Sequence, residues 1–252
     1  MNSVILIPAR MESTRFPNKP LASLLGKPMI QWVYEAAEKS DATDVFVVTD
    51  SQEIIDVVDA FGGQFIRTSE APRNGTERCH EAMDILDADG EDYDVIINVQ
   101  GDEPLLSPKD INNLINLFEE DDIDVVTLLK PITNEGEYKD PNIVKAVPSV
   151  FEDGYCDICY FSRSPIPYMD EFESKVAFKH IGIYGFTVTA FEEIKNLNVS
   201  EAEHFERLEQ LRWLQNHILI SGIVTTTDLI GVDTPEDLNA VEEILKSRKS
   251  FS

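Results

Sequence analysis

Residues 95–104 read Val-Ile-Ile-Asn-Val-Gln-Gly-Asp-Glu-Pro. A run that is apolar except for Asn98 stops abruptly at a glycine, two acids and a proline. A strand with one wet face alternates apolar and polar residues; a strand covered on both faces reads as an unbroken apolar run. Residues 95–99 are therefore expected to form a strand of parallel type. Gln100 to Pro104 then lie just past its carboxyl end.

Working outward, runs of the same kind occur at 4–7, 45–49 and 64–67. Helical patterns separate them. Residues 29–39 place Ile30, Val33, Tyr34 and Ala37 on one stripe of a 3.6-residue repeat, and 54–61 and 79–86 behave likewise. Strands alternating with helices of this length imply βαβ units: an α/β fold with a mostly parallel sheet and helices on both faces. Such sheets bind ligands beyond the carboxyl ends of their strands. The second half is less regular. Strands are expected at 125–129, 145–150, 155–161 and 179–186, a helix at 201–215, a strand at 218–224 and a last helix from Pro235. The reading is one domain over 1–252, with a smaller β-rich extension at about 130–190 that either continues the sheet or forms an arm over the site. The apolar segment 181–186 suits either a core or an interface.

Composition narrows the function. Forty-seven acids against 21 bases give 252 residues a net charge of −26. A protein that tracks phosphate backbones shows a basic face, so nucleic-acid binding is disfavoured, as is an anionic membrane surface. No run approaches the ~18 apolar residues of a membrane span. Met1-Asn2-Ser3 has no cationic leader character, and three cysteines do not suggest a disulfide framework. A soluble cytoplasmic protein is expected. Cys156 and Cys159 sit three apart in a strand, on opposite faces, so they do not share a metal.

Against that acidity, residues 7–20 (IPARMESTRFPNKP) gather Arg10, Arg15 and Lys19 directly after the first strand. The stretch is neither GxxxxGK[ST] nor GxGxxG. A phosphate grip here would rest on guanidinium forks and a mobile ammonium; the alternative is surface cations offsetting an acidic chain. Asp102, past the 95–99 strand, suits a Mg²⁺ that also meets substrate phosphates, or a turn or cap before the helix near Pro108. In Gly231-Val232-Asp233-Thr234-Pro235-Glu236-Asp237, Thr234 as cap, Pro235 at the first helical position and Asp237 account for each other. Asp233 is left over, for a metal or as a solvated turn residue. In Asn74-Gly75-Thr76-Glu77-Arg78, Thr76 suits a helix cap. Arg78 in the first turn then implies either a nearby anionic ligand or pairing with Glu81. His180 is either a ligand contact or a packed strand residue.

IPARMESTRFPNKPL, NGTER, NVQGDEP, YFSRSPIP, KHIGIYGF, LEQLR and GVDTPEDL occur in this order over nearly the whole chain. This series resembles the bacterial 3-deoxy-manno-octulosonate (Kdo) cytidylyltransferases. The resemblance implies a nucleotide-diphospho-sugar transferase-like fold, usually a homodimer, that uses CTP and Mg²⁺ to activate Kdo for lipopolysaccharide assembly. It places Pro8, Ala9, Arg10, Arg15 and Lys19 at the CTP phosphates, and Asn74, Gly75 and Thr76 at the cytosine. Asp102 and Asp233 match the metal ligands; Arg10, Lys19, Asp102 and Asp233 form the expected catalytic set. Arg78, Gln100, Arg163, His180, Tyr184, Glu209 and Gln210 match the motifs around the acid sugar. Two positions depart from the usual pattern: Asn18 stands where glycine is common and Asn74 where serine is common. Relatives acting on 8-amino-Kdo or other acid sugars, and a non-catalytic nucleotide-binding paralogue, are the alternatives.

Overall fold

The computed structural model describes residues 1–12, 16–119, 123–151, 154–174 and 176–249. The chain forms two compact units, one of residues 1–115 with 227–252 and one of 116–226.

In the first unit, β1 (Ser3–Pro8) is followed by a short hairpin of β2 (Ser23–Leu24) and β3 (Lys27–Pro28), then α1 (Met29–Ala37), β4 (Asp44–Thr49), α2 (Gln52–Ala60), β5 (Phe65–Arg67), α3 (Gly75–Asp89), β6 (Val95–Asn98) and α4 (Pro108–Leu117). The order β5-β4-β1-β6 is parallel throughout, with Val4 opposite Asp44 on one side and Ile96 on the other. Continuous apolar runs behave as expected: all six residues of β1 and all four of β6 are buried. Burial of each Val, Ile or Leu contributes about 1.5–3 kcal/mol. The expected α1 stripe is also the observed one, since Ile30, Val33, Tyr34 and Ala37 are buried. Ser51 caps α2 by accepting the Ile54 N–H.

The second unit contains β7 (Val125–Pro131), α5 (Glu135–Lys139), β8 (Lys145–Pro148), β9 (Tyr155–Ser162), β10 (Phe178–Thr187), α6 (Val188–Lys195), α7 (Glu201–Glu206), α8 (Gln210–Gln215) and β11 (Ile220–Val224). Its strand order is β10-β7-β11-β9-β8, parallel only between β7 and β11. The chain then returns to the first unit as α9 (Pro235–Lys249).

One expected helix changes, one unassigned segment gains a helix, and one open alternative closes. The helix expected over 201–215 is two short helices, because Arg207 adopts a left-handed conformation with φ 55° and ends α7. That conformation breaks the i to i−4 ladder that a continuous helix needs. Residues 188–195, to which the sequence reading assigned no element, form a helix that Thr187 caps at the end of β10. Segment 181–186 is core: Ile181, Ile183, Tyr184 and Phe186 are all buried. Cys156 is buried and Cys159 exposed, the opposite-face placement expected for a strand.

Candidate active site

The first unit collects polar side chains past the carboxyl ends of β1 and β6, around a cavity of about 760 Å³. Pro8, Ala9, Arg10, Lys19, Asn74, Gly75, Arg78, Gln100, Asp102 and Asp233 line it. Three loops meet there because two glycines permit close approach. A Cβ on Gly75 would stand 3.0 Å from the Pro8 ring, and one on Gly101 would stand 3.1 Å from the Pro8 carbonyl oxygen.

Lys19 opens a short 3-10 turn, Lys19–Leu21, and Asn18 before it takes a left-handed conformation with φ 57°. Asparagine tolerates that conformation better than most residues, so the departure from glycine is accommodated. The Lys19 ammonium lies between two carboxylates, 2.5 Å from Asp102 Oδ2 and 3.2 Å from Asp233 Oδ1. Burial alone would lower its pKa; the charges and hydrogen bonds of Asp102 and then Asp233 outweigh burial and raise it. Main chain links the carboxylate loops, since Val232 N–H donates to the Asp102 carbonyl at 2.9 Å.

Asp233 precedes the cap as expected. Asp237 Oδ2 accepts from the Thr234 N–H at 2.8 Å, and Thr234 Oγ1 accepts from the Asp237 N–H at 3.2 Å. Asp237 also receives the Asp233 N–H at 3.0 Å, so the Asp233 carboxylate is held in place by its own backbone. Among the described residues, no group of three or more His, Cys, Asp or Glu side chains is arranged to hold a metal alone. Two carboxylates converging on one ammonium nevertheless define a cation position. A Mg²⁺ held there by Asp102 and Asp233 would take its remaining oxygens from substrate phosphates and water, as this ion commonly does. The donor set therefore fits.

Glu103 was not expected. Its Oε2 is buried with no hydrogen-bond partner among the described residues, and its pKa is pushed up to about 8 by burial first, then by the charge of Asp102, against the opposing pull of Lys19. Its place beside Asp102 in the quoted stretch was the available signal. Glu12, Pro72 and Arg73 also line the cavity, and Arg73 immediately precedes the NGTER motif. Arg10 is exposed at the cavity, with no ion-pair partner among the described residues. Arg15 lies outside the described residues.

Around α3, two readings are corrected. Asn74, rather than Thr76, caps the helix: its Oδ1 accepts the Glu77 N–H at 2.8 Å. Serine and asparagine rank together as caps, so the departure from serine leaves the cap intact. Thr76 is buried in the first turn and does not line the cavity. Arg78 does not pair with Glu81, which accepts from Ser69 instead. Its buried guanidinium donates to Thr68 Oγ1 and to the Ser69 carbonyl, and lies 3.4 Å from Asp50. Gln100 donates to Asn98 Oδ1 at 3.2 Å.

The remaining sugar candidates belong to the second unit. Arg163 Nε donates to the Glu206 carbonyl at 2.8 Å, while its N–H donates to Glu206 Oε2 at 2.9 Å. The His180 and Tyr184 rings lie 5.1 Å apart. Burial lowers the His180 pKa to about 3, so the ring is neutral at physiological pH. Burial, then the Glu209 charge, raises Tyr184, whose buried hydroxyl has no hydrogen-bond partner among the described residues. Gln210 is buried at the start of α8.

A family model for cytidylyltransferases matches residues 4–223. The chain belongs to the cytidylyltransferase family. It is 44% identical to the 3-deoxy-manno-octulosonate cytidylyltransferase of Thermodesulfovibrio yellowstonii, over 98% of this chain and 99% of that one. It is 41% identical to the 8-amino-3,8-dideoxy-manno-octulosonate cytidylyltransferase of Shewanella sp. strain W3-18-1, over 97% and 99%. A solved structure of CMP:2-keto-3-deoxy-manno-octonic acid synthetase complexed with CTP superimposes with a TM-score of 0.89 at 37% identity, over 98% of this cytidylyltransferase and 100% of that chain.

Proposed function

We propose that this cytidylyltransferase transfers CMP from CTP to the anomeric hydroxyl of Kdo, releasing CMP-Kdo and pyrophosphate, and that the product serves lipopolysaccharide assembly in the cytoplasm. The observation that carries the reading is Lys19 between Asp102 and Asp233 in a cavity that Arg10 also lines. Both substrates are anions, so assembling them is opposed by like charge and by the field of an acidic protein. Arg10 and Lys19, joined by Arg15 on the sequence pattern, supply positive charge where a triphosphate would sit. The Asn74–Gly75 turn lines the same cavity and is assigned to the base; with Asn74 Oδ1 committed to the cap, its amide and the main chain are left for that contact. Arg78 and Gln100 face the same cavity, while Arg163, His180, Tyr184, Glu209 and Gln210 are assigned to the sugar acid.

Asp102 and Asp233 are assigned to Mg²⁺. When bound, that ion would neutralise phosphate charge and lower the pKa of the attacking hydroxyl. Little covalent work falls to the protein, so its part is positioning and preorganised charge. Joint presence of Arg10, Lys19, Asp102 and Asp233 at one cavity argues against a non-catalytic paralogue. A second reading, transfer to 8-amino-Kdo, is favoured by the 41% identity to a relative of that name. A homodimer is part of the proposal; exposed Val150 and Tyr168 in the second unit accord with it.

Pyrophosphate release with CTP and Mg²⁺ tests the reading, with Kdo, 8-amino-Kdo, N-acetylneuraminate and no sugar compared side by side. Release with Kdo is expected to exceed the others. Preference for 8-amino-Kdo would select the second reading. No release with any sugar, from folded protein that binds CTP, would overturn both.

A further inference from the structure

In the second unit the pairing of β10 with β7 slips between Ile181 and Tyr184. At that slip lies Thr127 of β7, fully buried, paired with Tyr184 on one side and Gly222 of β11 on the other. Its Oγ1 stands 2.8 Å from the Ile183 carbonyl oxygen, 3.1 Å from the Ile181 carbonyl oxygen and 3.0 Å from His180 Nε2.

A hydroxyl has one proton to give and two lone pairs to receive, and carbonyl oxygens only accept. The single Thr127 proton therefore belongs to the carbonyls. Were it aimed at His180 instead, the threonine lone pairs would face two carbonyl oxygens at hydrogen-bond distance with no proton between them, which is costly in a buried setting. It follows that Nε2 of His180 carries a proton and donates to Thr127. The ring is also neutral, since burial lowers its pKa to about 3. A neutral imidazole has one N–H, so Nδ1 is a bare acceptor. Nδ1 has no partner among the described residues, and His180 as a whole residue keeps partial exposure. Its plane is fixed by the edge-on Phe161 ring at 5.1 Å and by Tyr184 at 5.1 Å.

We infer that Thr127 is a positioning residue that locks His180 as the Nε2–H tautomer, so that Nδ1 accepts a hydrogen bond from a hydroxyl of the sugar acid. This rests on the assignment of His180 to the sugar. It goes further in giving the bond a direction: the sugar group at Nδ1 must bring a proton, so a deoxy or O-methyl analogue at that position binds worse.

The test begins with ¹⁵N NMR of the histidine side chains in the ligand-free, full-length protein near pH 7. His180→Gln assigns the signal among four histidines. The expected pattern is one tautomer, protonated at Nε2. Thr127→Val, which keeps the shape and removes the hydroxyl, is expected to mix the tautomers and raise the KM for the sugar roughly tenfold. The kcat and the KM for CTP stay near wild type, and Thr127→Ser restores both tautomer and KM. A proton on Nδ1 in the wild type overturns the inference without any variant. So does Thr127→Val with an unchanged sugar KM. If these changes appear with 8-amino-Kdo rather than Kdo as the preferred substrate, the Thr127 role stands and only the choice of sugar falls.

Discussion

Replacing Lys19 with methionine keeps the length of the side chain and removes its charge. Two unit charges 4 Å apart interact by about 4 kcal/mol at an effective dielectric near 20, which is a ceiling for one lysine–phosphate contact. The net effect is smaller, because Lys19 is already engaged without nucleotide, 2.5 Å from Asp102 and 3.2 Å from Asp233. Binding a phosphate exchanges partners rather than creating an interaction from nothing. A net loss of about 1.4–2.8 kcal/mol, or 10- to 100-fold in kcat/KM for CTP, is expected. Stability should also fall, since the two carboxylates are left facing each other without their cation. Breaking a fully buried pair costs about 3–5 kcal/mol. Here Asp233 is 47% exposed, so about 1–3 kcal/mol is the better figure, a fall of roughly 2–10 °C in Tm. Pyrophosphate release at varied CTP and a thermal melt of the same preparation read both quantities. A kcat/KM within about threefold of wild type together with an unchanged Tm would refute the assignment of Lys19 to the phosphates and to the carboxylate pair.

Asp102→Asn and Asp233→Asn should each lower turnover on the order of 10³-fold while leaving far-UV circular dichroism unchanged; near-normal turnover in either would remove that residue from the site. Glu103 has its pKa raised from 4.5 to about 8, so the folded state loses stability as pH rises from about 4.5 and has lost it fully above about 8. At about 1.4 kcal/mol per unit the upper bound is about 5 kcal/mol. Glu103→Gln in EDTA should therefore melt higher than wild type at pH 8.5 and close to it at pH 4.5; parallel Tm–pH curves would contradict this. The lowered pKa of His180 has the opposite sign: stability present above about 6.5 is lost as pH falls toward about 3, while the unfolded chain takes up the proton. His180→Gln should flatten the acid limb of the Tm–pH curve between pH 6 and 4, measurable by scanning calorimetry. Arg207→Gly should stabilise by about 0.5–1 kcal/mol, seen as a higher urea midpoint, because glycine adopts the left-handed turn without a Cβ clash.

Much of the first unit was legible in sequence because its signals are local. Continuous apolar runs mark β1 and β6, the stripe of Ile30, Val33, Tyr34 and Ala37 marks α1, and Thr234-Pro235 with Asp237 marks the start of α9. Each depends on residues a few positions apart, where strand and helix periods and capping geometry act directly. The resemblance carried by the motifs added the family, which the comparisons bear out. Long-range pairing decided the rest. Nothing local says that Lys19 meets Asp102 and Asp233, 83 and 214 residues away, or that Val232 is bonded to the Asp102 carbonyl. Arg78 went to Asp50 and Thr68 rather than to Glu81 because the folded chain places those groups around it, whereas sequence spacing shows only the partner one turn along. The break at Arg207 and the slip at Ile181 to Tyr184 were invisible for a related reason. Left-handed residues and bulges at non-glycine positions cost about 1–2 kcal/mol locally and persist because surrounding packing outweighs that cost. Sequence alone determined the family of this cytidylyltransferase and most of the candidate side chains for its chemistry, because motifs and periods are local; the tertiary structure decided which of them share a cavity and which groups they bond to, because those pairings span the length of the chain.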